Sequence, residues 1–142
     1  ALVWMLDYVN NRIVTNHVTV SHDGGGTWSD PIDTGVHGQA SNLIHLDGDL
    51  ILTIHSHREG KDIGLYVRIV DFAADQWRTI QEVKIWGDAP SADITDYAKM
   101  GQNLKFGQPS LLALDDGEIL ATHWAIDDCQ GKILTHRLRV VP

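Results

Sequence analysis

The chain has 142 residues and a mass of 15.8 kDa, enough for one ordinary domain with a core of its own. Its 11 Lys and Arg against 19 Asp and Glu leave a formal charge of -8, and no basic run exists to neutralise a phosphate backbone or lie on an anionic membrane. Nucleic acid and membrane are therefore not expected as partners.

The apolar stretches are strand-length, short of the roughly 20 residues that span a bilayer, and Ala1 to Asp7 lacks the basic region of a signal peptide, so the sequence reads as soluble. Cys129 is the single cysteine, which excludes an intrachain disulfide and a cysteine-based metal site. The first residue is not Met, which reads as a processed chain or a fragment. Short runs rich in Val, Ile, Leu and Thr, bounded by Gly, Asp and Asn, predict strands near 2–6, 12–20, 31–34, 42–47, 50–56, 63–71, 79–85, 110–114, 118–124 and 132–140. Helical spacing is not sustained, except for a turn or two around Ile94 to Met100. The stretches 43–53 and 111–122 match as hairpins, each turning on Asp-Gly, whose glycine supplies the positive φ of a tight turn. A repeated four-stranded unit implies sheets that each bury a face only against a neighbour.

The segment Ser21-His22-Asp23-Gly24-Gly25-Gly26-Thr27-Trp28 fits the pattern S-x-D-x-G-x-T-W at every fixed position. Ser21 and Asp23 are suited to cap backbone N–H groups, Gly25 to the unusual conformation of the turn, and Trp28 to cover the hairpin beneath. A degenerate cousin spans Asp71 to Trp77. On these residues, and on Phe106-Gly107-Gln108-Pro109-Ser110 with Thr122-His123-Trp124, the chain resembles the sialidase superfamily of Asp-box (BNR) repeat proteins. The resemblance implies an all-β fold: a sialidase-like β-propeller fragment of about two and a half four-stranded antiparallel blades. It divides the chain into an incomplete blade (1–35), a full blade (36–86), a long connection (87–108) and an incomplete blade (109–142). A ring cannot close on so few blades, so a homo-oligomer or part of a longer chain is expected. The resemblance makes the Asp box, Ser21, Asp23, Gly25, Thr27 and Trp28, a structural element.

Alternating strand direction puts the tight turns and the Asp box on one rim, and the longer loops on the other. Binding groups concentrate on loops held by a rigid scaffold, so the second rim is the candidate site. Arg58 there has the planar fork that grips a carboxylate with two parallel bonds, and Arg12 stands in the corresponding turn of the preceding blade. An ordinary surface ion pair with Glu59 or Asp62 is the competing reading of Arg58. His55 and His57 share one strand face, but no third ligand is specified by spacing, and neither metal nor cofactor is expected. Trp124 with Asp127 resembles a sugar-binding pair, an aromatic face and a carboxylate, against an ordinary acidic turn. Sialidases use three arginines and a Tyr–Glu pair; Tyr8 and Tyr97 lie on this rim, yet neither sits in a motif that assigns a catalytic role. The expectation is a sialidase-like, glycoside-hydrolase-related protein acting on or recognising carbohydrate and incomplete as an enzyme alone, with a non-catalytic sugar- or protein-binding module as the alternative.

Overall fold

The computed structural model describes residues 1–7, 12–58, 62–87 and 105–141, with 2–7, 12 and 13 as backbone alone. Ten strands run in chain order: β1 (Leu2–Asp7), β2 (Arg12–Val18), β3 (Ile32–Asp33), β4 (Gln39–His45), β5 (Leu50–His57), β6 (Gly64–Asp71), β7 (Arg78–Trp86), β8 (Phe106–Ala113), β9 (Ile119–Asp127) and β10 (Gln130–Leu138). They form three antiparallel meanders, β1-β2-β3, β4-β5-β6-β7 and β8-β9-β10, here sheets 1, 2 and 3. The fold is all-β. One short 3-10 turn, Ala73–Asp75, is the helical element among the described residues, and no helix there is long and apolar enough to cross a membrane.

The first strand of sheet 2 sets the packing, because β4 lies against β1 on one side and β8 on the other. The interior strand β5 also meets β8, and it reads Leu-Ile-Leu-Thr-Ile-His-Ser-His with five consecutive buried residues, Leu52 to Ser56. A strand buried on both faces favours such an apolar run over strict alternation. Leu52, Ile54 and Val67 of sheet 2 meet Leu111, Ile119 and Ala121 of sheet 3 in one cluster. Ile63, Leu65, Phe106 and Ala125 form a second beside it. Burying each large aliphatic side chain contributes about 1.5–3 kcal/mol, so the contact between sheets 2 and 3 is the main source of apolar stabilisation seen here.

Sheets 2 and 3 are copies of one unit at a constant offset of 68 residues, 43 to 111, 55 to 123 and 70 to 138. The turn bond Leu46 N–H to Leu50 O (2.9 Å) recurs as Leu114 N–H to Glu118 O (2.8 Å). The pairing Ile51 with Val70 recurs as Ile119 with Leu138. Each first strand carries a bulge with a residue at positive φ, Ala40 (48°) and Gln108 (44°). These bulges explain why β4 and β8 begin three and four residues ahead of the expected 42 and 110: Gly107 and Pro109 read as turn residues but sit in an edge strand at a bulge, where proline is tolerated.

The loop 19–31 carries the Ser21–Trp28 turn. Ser21 Oγ–H donates to Asp23 Oδ1 (2.8 Å) and accepts from Gly25 N–H (2.7 Å), while Asp23 accepts from Thr27 N–H (2.9 Å) and Thr27 Oγ1–H (2.8 Å). These donors hold the Asp23 carboxyl down to about 2, the Thr27 bonds contributing most. Trp28 departs from expectation: it is 54% exposed, standing over an open groove bounded by Leu43, Ile51 and Phe72 instead of sealing the hairpin. The turn Asp71–Trp77 is a relative in structure as well, with Asp71 Oδ1 accepting from Ala73 N–H (3.0 Å) and Trp77 set edge-on to Phe72. His22 and Asp75 meet at 3.1 Å, which ties the two turns together at one end of the molecule.

Candidate functional site

The opposite end gathers the last residues of β5 and the first of β4 and β8. Arg58, immediately after β5, is 6% exposed, and its guanidinium lies 5.7 Å over the Phe106 ring. A Cβ on Gly107 would fall 1.7 Å from Arg58 Nη2 and 3.5 Å from the Trp124 ring, so Gly107 is glycine because the guanidinium occupies its side-chain space. Trp124 closes the other side of that space, fixed by its Nε1–H donating to Gln108 Oε1 (3.0 Å). Arg58 Nε and Nη2 are buried and have no hydrogen-bond partner among the described residues. Burial brings the guanidinium down to about 10 from 12.5, so it stays charged at neutral pH. A buried cation with two unused donors is costly in a fold, and its planar fork has the geometry that pairs with a planar anion.

The aromatic floor extends away from Arg58. Phe106 packs on Trp86 (5.1 Å between centroids), and Trp86 packs on His123 (4.8 Å). His123 Nδ1–H donates to Trp124 O (3.1 Å), which leaves its Nε2 as the acceptor for His136 Nε2–H at 3.1 Å. His55 is the counterpart of His123 one repeat earlier, and its partner on the third strand is Arg68, whose Nη1 lies 2.9 Å from the ring nitrogens. Arg68 is in turn held by Glu82 of β7. Burial, then Arg68, drives His55 down to about 3, so it is a neutral core group at any physiological pH. His55 also faces Tyr66, and its edge fills the space over Gly38.

The expected site residues therefore divide. Arg58 and Trp124 come together over Gly107. His55 is turned toward Arg68 and Tyr66. His57 Nδ1 approaches His37 O (3.2 Å) and its ring stands edge-on to Tyr66. Asp127 is exposed in the β9–β10 turn and bound by Lys132 Nζ (2.7 Å), which lowers its pKa and occupies it. Arg12 opens β2, and its side chain lies outside the described residues, as do Glu59, Tyr8, Tyr97, the turn around Ile94–Met100 and most of the 87–108 connection. No ion pair joins Arg58 to Asp62. Trp86, Arg68 and His136 were not singled out by sequence, and Phe106, Gly107 and His123 were named there without these contacts; the 68-residue repeat, carried past the hairpins, would have paired His55 with His123 and Arg68 with His136.

No family model matches the chain, and no curated protein matches it. Among solved structures it is similar to a protein of unknown function from Dyadobacter fermentans, with 17% sequence identity and a TM-score of 0.65. The likeness covers 99% of this chain and 35% of that one, so the chain spans about a third of its neighbour's length. It bears on the fold.

Proposed function

We propose that the chain is a segment of a sialidase-like β-propeller whose site end receives the carboxylate of an acidic sugar at Arg58. The observation that carries the reading is the buried guanidinium with two unpartnered nitrogens, flanked by Trp124 and Phe106. A carboxylate satisfies Nε and Nη2 together, and an indole edge beside it suits a pyranose ring. The propeller part is supported by three consecutive meanders packed through their first strands, by the 68-residue repeat, and by the two related Asp turns at one end. Calorimetry with N-acetylneuraminic acid, glucuronic acid and their methyl esters tests the reading. The free acids are expected to bind at least tenfold more tightly than the esters, and Arg58→Lys to weaken the acids by about 1–3 kcal/mol through loss of the bidentate fork. Equal binding of acid and ester sinks it.

Recognition without turnover is the second reading, favoured by Tyr66. It is the one tyrosine among the described residues, and its hydroxyl is committed as a donor to Asp62 O at 2.6 Å. An aryl sialoside assay separates the two: release of the aryl group, abolished by Arg58→Ala, supports an enzyme.

A further inference from the structure

Asp-Gly occurs in the chain at Asp23-Gly24, Asp47-Gly48 and Asp116-Gly117, each time in a turn. The three glycines all have positive φ, 72°, 55° and 79°, and a Cβ on any of them would meet nothing within 4 Å, so neither backbone nor crowding tells them apart. What separates them is where the carboxyl and the next amide are held. Asp23 is turned away from Gly24, its oxygens accepting from Ser21 Oγ–H (2.8 Å), Thr27 N–H (2.9 Å) and Thr27 Oγ1–H (2.8 Å). At the third pair both groups are committed elsewhere: Asp116 Oδ1 accepts from Glu118 N–H (3.0 Å), and Gly117 N–H donates to Leu114 O (3.1 Å). Asp47 differs from both, because its Oδ1 accepts from the N–H of Gly48 itself at 2.9 Å. The cause is register. The hairpin loops Leu46–Leu50 and Leu114–Glu118 match in length, but Asp-Gly stands one position earlier in the first, where Leu50 N–H closes the turn on Asp47 O (2.9 Å) and leaves the Gly48 N–H to the side chain. Asp47 and Gly48 are both exposed to water.

We propose that Asp47 is a modification site, the aspartate at which the folded chain isomerises to isoaspartate ahead of its other Asp-Gly pairs. In the acid form of the side chain, the Gly48 nitrogen bonds to Asp47 Cγ while its proton passes to Oδ1 along the existing hydrogen bond. The resulting diol loses one water and leaves a five-membered imide. Water then adds at the former main-chain carbonyl of Asp47 and breaks its bond to the Gly48 nitrogen. The chain now runs through Cγ, and the released α-carboxyl becomes the side group. One water leaves and one enters, so the sequence needs no oxidant, reductant or cofactor. The product has an extra methylene in the backbone of a turn whose closing bond is Leu50 N–H to Asp47 O. That turn joins β4 to β5, the two strands of sheet 2 that meet β8, so the isomerised chain is expected to melt at a lower temperature than the original.

The test is to age the folded chain at neutral pH in ¹⁸O-labelled water and map it by mass spectrometry. Opening of the imide leaves one ¹⁸O in the isomerised residue, and a protease that cleaves before aspartate but not before isoaspartate locates it. Isoaspartate is expected at position 47 at least fivefold faster than at 23 or 116. In urea, where no turn holds a carboxyl or an amide, the three rates are expected to converge to within about twofold. Asp47→Glu, whose longer side chain cannot close the five-membered ring, is expected to remove the product there and leave the rates at 23 and 116 as they were. Absence of isoaspartate at 47 in the folded chain, or a rate there no greater than at 23 and 116, would overturn the proposal. So would the same ranking in urea, because neighbouring sequence and not the folded turn would then be choosing the site.

Discussion

Arg58→Met is the most informative single change, because it is expected to make the fold more stable and the site useless. Desolvation holds the guanidinium down to about 10 from 12.5, and at roughly 1.4 kcal/mol per pKa unit this corresponds to a burial penalty of about 3 kcal/mol. The Phe106 face returns about 0.5–2 kcal/mol as a cation–π contact. Methionine matches the length of the arginine stem, needs no partner, and packs on the same ring. The net expectation is a gain of about 1–3 kcal/mol, which for a chain of this size is a rise in Tm of roughly 3–10 °C by calorimetry. Acidic sugar should raise the Tm of the natural chain by mass action and leave that of Arg58→Met where it was. A fall in Tm of similar size on Arg58→Met would refute the reasoning, since it would mean that the guanidinium is already satisfied in the fold.

Three further changes have defined outcomes. Gly107→Ala puts a methyl where Arg58 Nη2 lies, so affinity for an acidic sugar should fall at least tenfold by calorimetry; unchanged affinity would mean that Arg58 does not need that space. Asp23→Asn keeps the shape of the turn and removes the charge that Ser21 and Thr27 address; Tm should drop at pH 7 with ligand affinity unchanged. Because the Asp23 pKa is depressed to about 2, that difference between natural chain and variant should shrink as pH falls below about 4. His55 has a folded pKa of about 3 against 6.5 unfolded, so between those values the unfolded chain binds the extra proton and stability falls as pH drops, at up to about 1.4 kcal/mol per unit. His123 and His136 are displaced the same way and add to the slope; urea midpoints that stay flat from pH 7 to 4 would contradict this.

The strands were legible because each is a short β-branched run stopped by a residue with a defined turn role, as at Asp47-Gly48 and Asp116-Gly117, where Gly48 and Gly117 take φ of 55° and 79°. The hydrogen bonds of the Ser21–Trp28 turn were legible for the same reason: they are local, between residues two to four apart. What local pattern does not encode is which side chain meets which across sheets. Arg58 and Gly107 are 49 positions apart, and nothing in either neighbourhood announces that one fills the other's side-chain space. His55 and His57 share a strand face as expected, but whether that face opens on solvent or on Arg68 and Tyr66 depends on β6, and β6 makes it core. Trp28 fails in the converse way, because its motif specifies the turn and leaves the indole to whatever stands opposite.

Among the described residues, the repeat also sets the surroundings of Arg58 apart from the duplicated scaffold. Moving by 68 residues takes Arg58 to Ile126, Ser56 to Trp124, Gln39 to Gly107 and Gly38 to Phe106, so the two units agree in their turns and mid-strand pairs and differ at the site end. Each difference serves one guanidinium. Phe106 gives it a floor where the earlier unit has Gly38, which must be small to admit His55; Gly107 gives it room where the earlier unit has Gln39; Trp124 walls the far side where the earlier unit has Ser56, committed to Gln39 O. Sheet 2 thus contributes the charge, and sheet 3 the ring, the glycine and the indole around it. An arginine placed by Ile126→Arg would extend from an exposed position, and equivalent surroundings there would still need a third unit to supply the phenylalanine and glycine. The surroundings of Arg58 belong to the junction between two sheets and not to either one, which is why a scan of single motifs finds the parts without finding the arrangement.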